Sequence, residues 1–122
     1  MIAEILSIGT ELLMGQIANT DAQYISRRLA ELGVNLYRHT TVGDNPARVK
    51  EALGEAIARA DIVITTGGLG PTEDDLTKEM VAEFFGLPME MHAPSLEALT
   101  ERMNRLGREI TPNNYKQAMM PR

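Results

Sequence analysis

The sequence predicts an α/β fold: a parallel sheet covered by helices on both faces. Short apolar runs rich in β-branched residues recur through the first half of the chain, amphipathic helical stripes separate them, and the connections are brief. Strand, helix, strand, helix, strand in that order forces parallel pairing through right-handed crossovers, and sheets of that kind are buried on both faces.

The first run, Ala3 to Ile8, ends at Gly9; the second is Val34 to Val42 and the third Asp61 to Thr66. Between the first two, Ala22, Ile25, Leu29 and Leu32 recur at spacings of three and four. Thr20 with Gln23 predicts a capping box at the start of that helix, and Gly33 predicts its stop. Between the second and third runs, Val49, Leu53, Ile57 and Ala60 repeat the stripe, with Asn45 as N-cap and Pro46 in the first helical position.

A third helix is expected from about Leu76 to Phe85, with Met80 and Phe84 one turn apart and Gly86 and Pro88 closing it. A short strand at Met89 to Met91 is allowed by the pattern. Ser95 is expected to cap a fourth helix carrying Leu96, Leu99, Met103 and Leu106, closed by Gly107, and a fifth spans Thr111 to Met119. The eight methionines are expected mostly in helices, as gap-filling core. The whole of 1–122 reads as one domain.

Composition excludes several functions. There is no cysteine, which removes disulfides, thiolate metal sites and cysteine nucleophiles together. A net charge of −5 opposes direct nucleic-acid binding, which needs a basic surface, and the absence of Trp beside only two Phe and three Tyr leaves no base-stacking platform. No run approaches the roughly 18 apolar residues of a membrane span, and no basic stretch leads into an apolar one at the N-terminus. No membrane association is therefore expected, and a cytoplasmic location is.

In open parallel sheets ligands bind outside the carboxyl ends of the strands, so the residues just after each strand carry the functional expectation. Here they are polar. Gly9, Thr10 and Glu11 follow the first strand, Gly43, Asp44 and Asn45 the second, and Thr66 through Asp75 the third. The three glycines among Gly67, Gly68, Leu69 and Gly70 let the backbone take positive φ and bring N–H groups close to an anion, with a helix start expected immediately afterwards. No Gly-Lys-Ser/Thr follows, which excludes a Walker A loop, and the third glycine of a dinucleotide fingerprint is missing.

The acids after this loop have two readings. Thr72 and Asp75 fit a capping box, and Glu73, Asp74 and Asp75 suit the positive end of a helix dipole. If phosphates occupy the glycines, a bridging hard cation such as Mg²⁺ offsets the carboxylates. Asp44, with the cap already supplied by Asn45, is expected to point into the crevice. Glu11 either caps a turn or carries a hydrogen bond to a ribose or pterin. His39 and His92 lack metal-ligand spacing and read as surface or edge residues. Lys116 reads first as part of a solvated helix face and second as a group able to reach a phosphate.

The loop Gly67 to Gly70 followed by Asp75, Leu76 and Thr77 resembles the glycine loop and Asp-Val-Thr segment of the molybdopterin-binding domains of the MoaB/Mog type. Ile8 to Leu13 with Gly15, Gln16 and Ile17, the run Thr65 to Thr72 with Asp74 and Asp75, and Asn113 to Ala118 resemble the CinA branch, the competence/damage-inducible proteins. The likeness runs along the whole chain. It implies a three-layer α/β/α domain with a mostly parallel sheet, and for the CinA branch a hydrolase acting on the pyrophosphate of ADP-ribose with a divalent metal ion, Mg²⁺, Mn²⁺ or Co²⁺.

On that resemblance Gly67, Gly68, Leu69 and Gly70 cradle phosphates, Gly9, Thr10, Glu11, Thr66 and Asp74 border the substrate, and Asp44 and Asp75 are the catalytic and metal-holding acids. The partner is a small-molecule nucleotide or pterin phosphate, and a homo-oligomer is expected because members of the superfamily commonly self-associate. Molybdopterin binding with adenylyl transfer is the alternative, and a non-catalytic nucleotide-sensing module a third. Leu69 replaces the threonine of the molybdopterin-handling loop, and Asp21 stands where the family has Asn. The resemblance also implies a further strand and ligand loop after Arg122, so the chain is expected to be a fragment of a longer domain, inactive alone.

Overall fold

The computed structural model describes residues 1–122. Residues 1–68 and residues 69–122 form two compact units. No helix is long and apolar enough to cross a membrane.

The first unit runs β1 (Ile2–Ile8), α1 (Thr10–Leu13), α2 (Thr20–Glu31), β2 (Asn35–Val42), α3 (Pro46–Arg59) and β3 (Ile62–Thr66). The strands form one all-parallel sheet in the order β2-β1-β3. The central position explains β1, which is buried from Ala3 through Ile8. Strand alternation divides its side chains between two faces. Ala3 and Ile5 pack with Ala22 and Leu29 of α2, with Ile25, Val34, Leu36 and Ile64 around them. Leu6 and Ile8 turn to the opposite face, which α3 covers with its buried Val49, Leu53 and Ala56. The unit is therefore a three-layer α/β/α sandwich, as expected.

β1 is less apolar than its pattern suggests. Glu4 is buried within it, and the Arg59 guanidinium of α3 donates to both its carboxylate oxygens, Nε at 2.8 Å and Nη2 at 3.0 Å. Arg38 of β2 lies beside it at 3.9 Å. The Arg59 hydrogen bonds hold the Glu4 carboxyl below the ordinary glutamate range against the opposing effect of burial. The β1–β2 register shifts between Ala3 and Glu4, leaving exposed Tyr37 as the extra residue of a bulge.

Local signals are resolved in detail. Asn45 caps α3 by accepting the Arg48 N–H, with Pro46 in the first turn, as expected. The cap of α2 is Asn19, which accepts the Ala22 N–H, and the expected cap Thr20 is instead the first helical residue. An amide oxygen one position earlier does what the hydroxyl was expected to do. Gly33 takes φ 71° just after α2, as its role as a stop requires, but Leu32 beside it is 72% exposed and leaves the apolar stripe. α1 is an element that hydrophobic periodicity does not reveal, because four residues cannot establish a helical stripe.

The second unit contains α4 (Thr77–Phe85), β4 (Met89–Met91), α5 (Ala93–Arg105), α6 (Pro112–Ala118) and β5 (Met119–Pro121). β4 and β5 pair antiparallel. Met80 of α4 is buried, whereas Phe84 is exposed and meets the Phe85 ring edge-on at 5.1 Å. The expected cap Ser95 lies inside α5; His92 is the N-cap and its Nδ1 pairs with the Ser95 hydroxyl at 2.6 Å. Gly107 ends the helical turn at φ 67°, and Leu106 is exposed. Met89, Met91, Met119 and Met120 occupy the two strands, so the expectation of mostly helical methionines fails for this sheet.

Candidate functional site

At the carboxyl end of the parallel sheet, the loops after β1 and β2 are fastened to each other. The Gly9 N–H donates to the Val42 carbonyl at 2.9 Å. Thr10 and Asp44 then bond reciprocally: the Thr10 hydroxyl donates to Asp44 Oδ2 at 3.1 Å, and the Asp44 N–H donates to the Thr10 hydroxyl oxygen at 3.1 Å. Asp44 thus does not stand free in the crevice; half-buried, it is committed through Oδ2 to Thr10. Glu11 lies in the first turn of α1, with its carboxylate folded back against Gly9.

Glu11 also lines a cavity of about 160 Å³ with Ile8, Asn19, Asp21, Thr66 and Gly67. β1 leads to α2 on one face of the sheet while β3 arrives from α3 on the other, so this is the switch point where open α/β sheets hold ligands. Gly67 closes the cavity with φ 81°, and a Cβ there would penetrate the Ile8 carbonyl oxygen, so only glycine fits. Gly68 follows with φ 67°. Consecutive positive-φ glycines bend the backbone into a curve able to present N–H groups to an anion.

Behind the cavity sits a polar cluster that sequence patterning does not reveal. The fully buried Ser7 hydroxyl oxygen accepts from Asn19 Nδ2 at 2.8 Å and from the Thr66 hydroxyl at 3.3 Å. His39 Nε2 lies 3.4 Å from Ser7 Oγ and 3.3 Å from Asn19 Nδ2. His39 is exposed on its edge strand, as expected, but it is tied into the site.

In the second unit, Leu69 is 49% exposed and Gly70 packs against Asp75: a Cβ on Gly70 would stand 2.6 Å from Asp75 Oδ2. That same oxygen accepts the Thr72 hydroxyl at 2.7 Å and the Thr72 N–H at 2.9 Å. These bonds have the pattern of a capping box, yet no helix begins at Thr72. α4 starts at Thr77 with Leu76 as N-cap, in agreement with the helix expected from about Leu76 to Phe85; it does not follow the glycines immediately, and Glu73, Asp74 and Asp75 precede its first turn. The pair closes a free-standing turn. The Thr72 hydroxyl, followed by the Thr72 and Gly70 amides and the Lys116 charge, keeps the Asp75 carboxyl below the ordinary aspartate range despite partial burial.

Lys116 is not on a solvated face. Its Nζ donates to the Thr72 carbonyl at 2.6 Å and lies 3.9 Å from Glu79. Glu73 and Asp74 are exposed. No group of three or more His, Cys, Asp or Glu side chains has the arrangement of a metal site.

The family model described as a probable molybdopterin binding domain matches residues 4–121. The chain belongs to that family. Within it the chain resembles the CinA group: a competence-damage inducible protein of Acetivibrio thermocellus is 59% identical over 121 residues, 99% of this chain and 29% of the relative. A CinA-like protein of Dictyoglomus turgidum is 59% identical over 118 residues, 97% of this chain and again 29% of the relative. The chain thus spans under a third of the length of these relatives. Among solved structures, CinA of Thermoplasma acidophilum, described as of unknown function, superposes with TM-score 0.90 at 30% identity over 99% of this chain and 71% of its own. MoaB of Pyrococcus furiosus, a tungsten cofactor synthesizing protein, shares the fold with TM-score 0.67 at 24% identity, over 86% of this chain and 66% of its own.

In this molybdopterin-binding-family domain the glycine loop and the acid turn were legible as motifs, whereas Ser7, Asn19 and His39 were not. Ser7 sits inside an apolar run, and its only sequence signal is that a hydroxyl interrupts a central strand. Asn19 is a cap by residue type, and its second bond, to Ser7, depends on tertiary placement.

Proposed function

We propose that this chain binds the phosphate of a small pterin or nucleotide at the glycine turn formed by Gly67 and Gly68. The observation that supports it is the glycine-only backbone at Gly67 and Gly68, at the switch point of a parallel sheet and beside a cavity lined by Glu11, Asn19, Asp21 and Thr66. Molybdopterin is the first ligand class, on the strength of the family. In this reading Glu11 and Thr66 offer polar atoms to the body of the ligand, and Gly9 and Thr10 lie at the start of the short helix that carries Glu11.

Asp75 is the carboxylate assigned to a divalent cation. The donor chemistry fits: Asp75 is held anionic, and Mg²⁺ is commonly bound through one or two carboxylates plus substrate phosphates, without a cage of protein ligands. Bound there, Mg²⁺, Mn²⁺ or Co²⁺ would neutralise phosphate charge as a Lewis acid. The protein's own part is to orient the phosphates on fixed amides and to keep Asp75 ionised.

The exposed Leu69, in place of the hydroxyl residue of molybdopterin-handling loops, favours a second reading, metal-dependent cleavage of the pyrophosphate of ADP-ribose. Two measurements separate the readings. Fluorescence of oxidised pterin retained on purification supports the first, and AMP release from ADP-ribose with Mg²⁺, Mn²⁺ or Co²⁺ supports the second. Absence of pterin retention, AMP release and nucleotide binding together would remove both.

A further inference from the structure

We propose that Lys116 is a positioning residue of the phosphate site, fastening α6 to the Thr72 carbonyl and so holding the turn on which Asp75 stands. The proposal rests on reading the loop through Asp75 as a phosphate site.

The Lys116 side chain is only 23% exposed, although an ammonium loses hydration as it is covered, and its Nζ reaches the carbonyl of a residue 44 positions earlier at 2.6 Å. That carbonyl is already in use: it accepts the Asp75 N–H at 3.1 Å. Thr72 is therefore gripped on every polar group. Its N–H and hydroxyl go to the Asp75 carboxylate, and its carbonyl takes both the Asp75 amide and the Lys116 ammonium.

The other end of the tether is also anchored. Lys78 of α4, half-buried, donates from Nζ to the Lys116 carbonyl at 2.9 Å and the Gln117 carbonyl at 3.0 Å. These belong to the last turn of α6, where the Lys116 carbonyl also accepts the Met119 N–H. Glu79, next to Lys78, has Oε2 buried without a hydrogen-bond partner, and its other oxygen, Oε1, lies 3.9 Å from Lys116 Nζ, so the two charges offset one another. The resulting chain runs from Lys78 through the end of α6 to Lys116, Thr72 and Asp75, and Gly70 is pressed against its last member. A cation placed for solubility needs none of these connections. Tilting α6 or removing the ammonium releases Thr72, and with it the carboxylate and the glycine beside it.

The test compares the parent chain with Lys116→Met and Lys116→Arg by amide hydrogen exchange at Thr72 and Asp75 and by ¹⁵N-detected titration of the Gly67, Gly68 and Gly70 amides with inorganic pyrophosphate. Lys116→Met is expected to speed exchange at Thr72 and Asp75 by about 10-fold or more and to weaken pyrophosphate by a similar factor, as loss of a charge-assisted hydrogen bond implies. Lys116→Arg is expected to restore most of both. If Lys116→Met does not fold, Lys116→Gln carries the same comparison. Unchanged exchange at Thr72 and Asp75 overturns the proposal, and so does weaker pyrophosphate binding with exchange unchanged, which would make Lys116 a direct ligand contact. A parent chain that does not bind pyrophosphate removes the phosphate reading, while exchange alone still decides whether Lys116 holds the turn.

Discussion

Asp75 closes on Thr72 through a single oxygen, which accepts both the threonine hydroxyl at 2.7 Å and its N–H at 2.9 Å. The consequence is a pH dependence with a definite sign. The folded Asp75 carboxyl titrates below its unfolded value, first because of the Thr72 hydroxyl, so its contribution is present above the ordinary aspartate range and is lost as pH falls through the folded value. Thr72→Val should raise the Asp75 titration midpoint in carboxyl ¹³C NMR and move loss of the turn to higher pH. A midpoint unchanged by Thr72→Val would remove the hydroxyl as the dominant cause.

Three glycines at the site should respond differently to alanine. At Gly67 a Cβ meets backbone, the Ile8 carbonyl, at a positive φ, so Gly67→Ala should destabilise by about 2–4 kcal/mol in urea unfolding. At Gly9 the Cβ meets only the end of the Glu11 side chain, which can swing away, and the cost should be a small fraction of that. At Gly70 it meets the Asp75 carboxylate, so Gly70→Ala should displace Asp75 and reduce ligand affinity more than stability.

The buried Glu4 and its partner Arg59 give a further contrast. Arg59→Met strands a carboxylate in the central strand and should lower Tm by several degrees, whereas adding Glu4→Leu should recover part of the loss, because removing both charges removes the desolvation cost. Since Glu4 also titrates below its ordinary range, its contribution is lost as pH falls through that depressed value. A double variant no more stable than Arg59→Met would contradict this account of the pair.

Asn19 caps α2 and also donates to Ser7, so Asn19→Ala should cost about 1–3 kcal/mol, the loss of a cap plus the shorter of the two hydrogen bonds to the buried Ser7 hydroxyl. Thr20→Ala should cost little. Thermal melts of the two variants check the difference, and the reverse order would return the cap to Thr20.

What was legible in the sequence follows from the range of the forces involved. The β1, α2, β2, α3, β3 order and the Asn45 cap are set by periodicity and by bonds three residues apart, which a pattern of residues records. The same locality explains Gly33 and Gly107. Glu4 defeats that logic because its partner Arg59 lies 55 positions away, and a carboxylate in an apolar run gives no indication of which arginine will meet it. Residue pattern alone puts Lys116 on a solvated face for the same reason, its acceptor being 44 positions earlier. For the acid turn, the sequence locates both the capping-box residues and the helix from about Leu76, but the Thr72–Asp75 bonds close a turn and the helix begins five residues after Thr72, at Thr77.

The claim at the centre of this account is that the glycine loop receives a phosphate. Titrating ¹⁵N-labelled chain with ADP-ribose in the presence of Mg²⁺ measures it directly. Saturable amide shifts centred on Gly67 and Gly68, abolished by Gly67→Ala in a variant that remains folded, are the predicted result; shifts that are absent, or that leave those two amides unmoved, would contradict it.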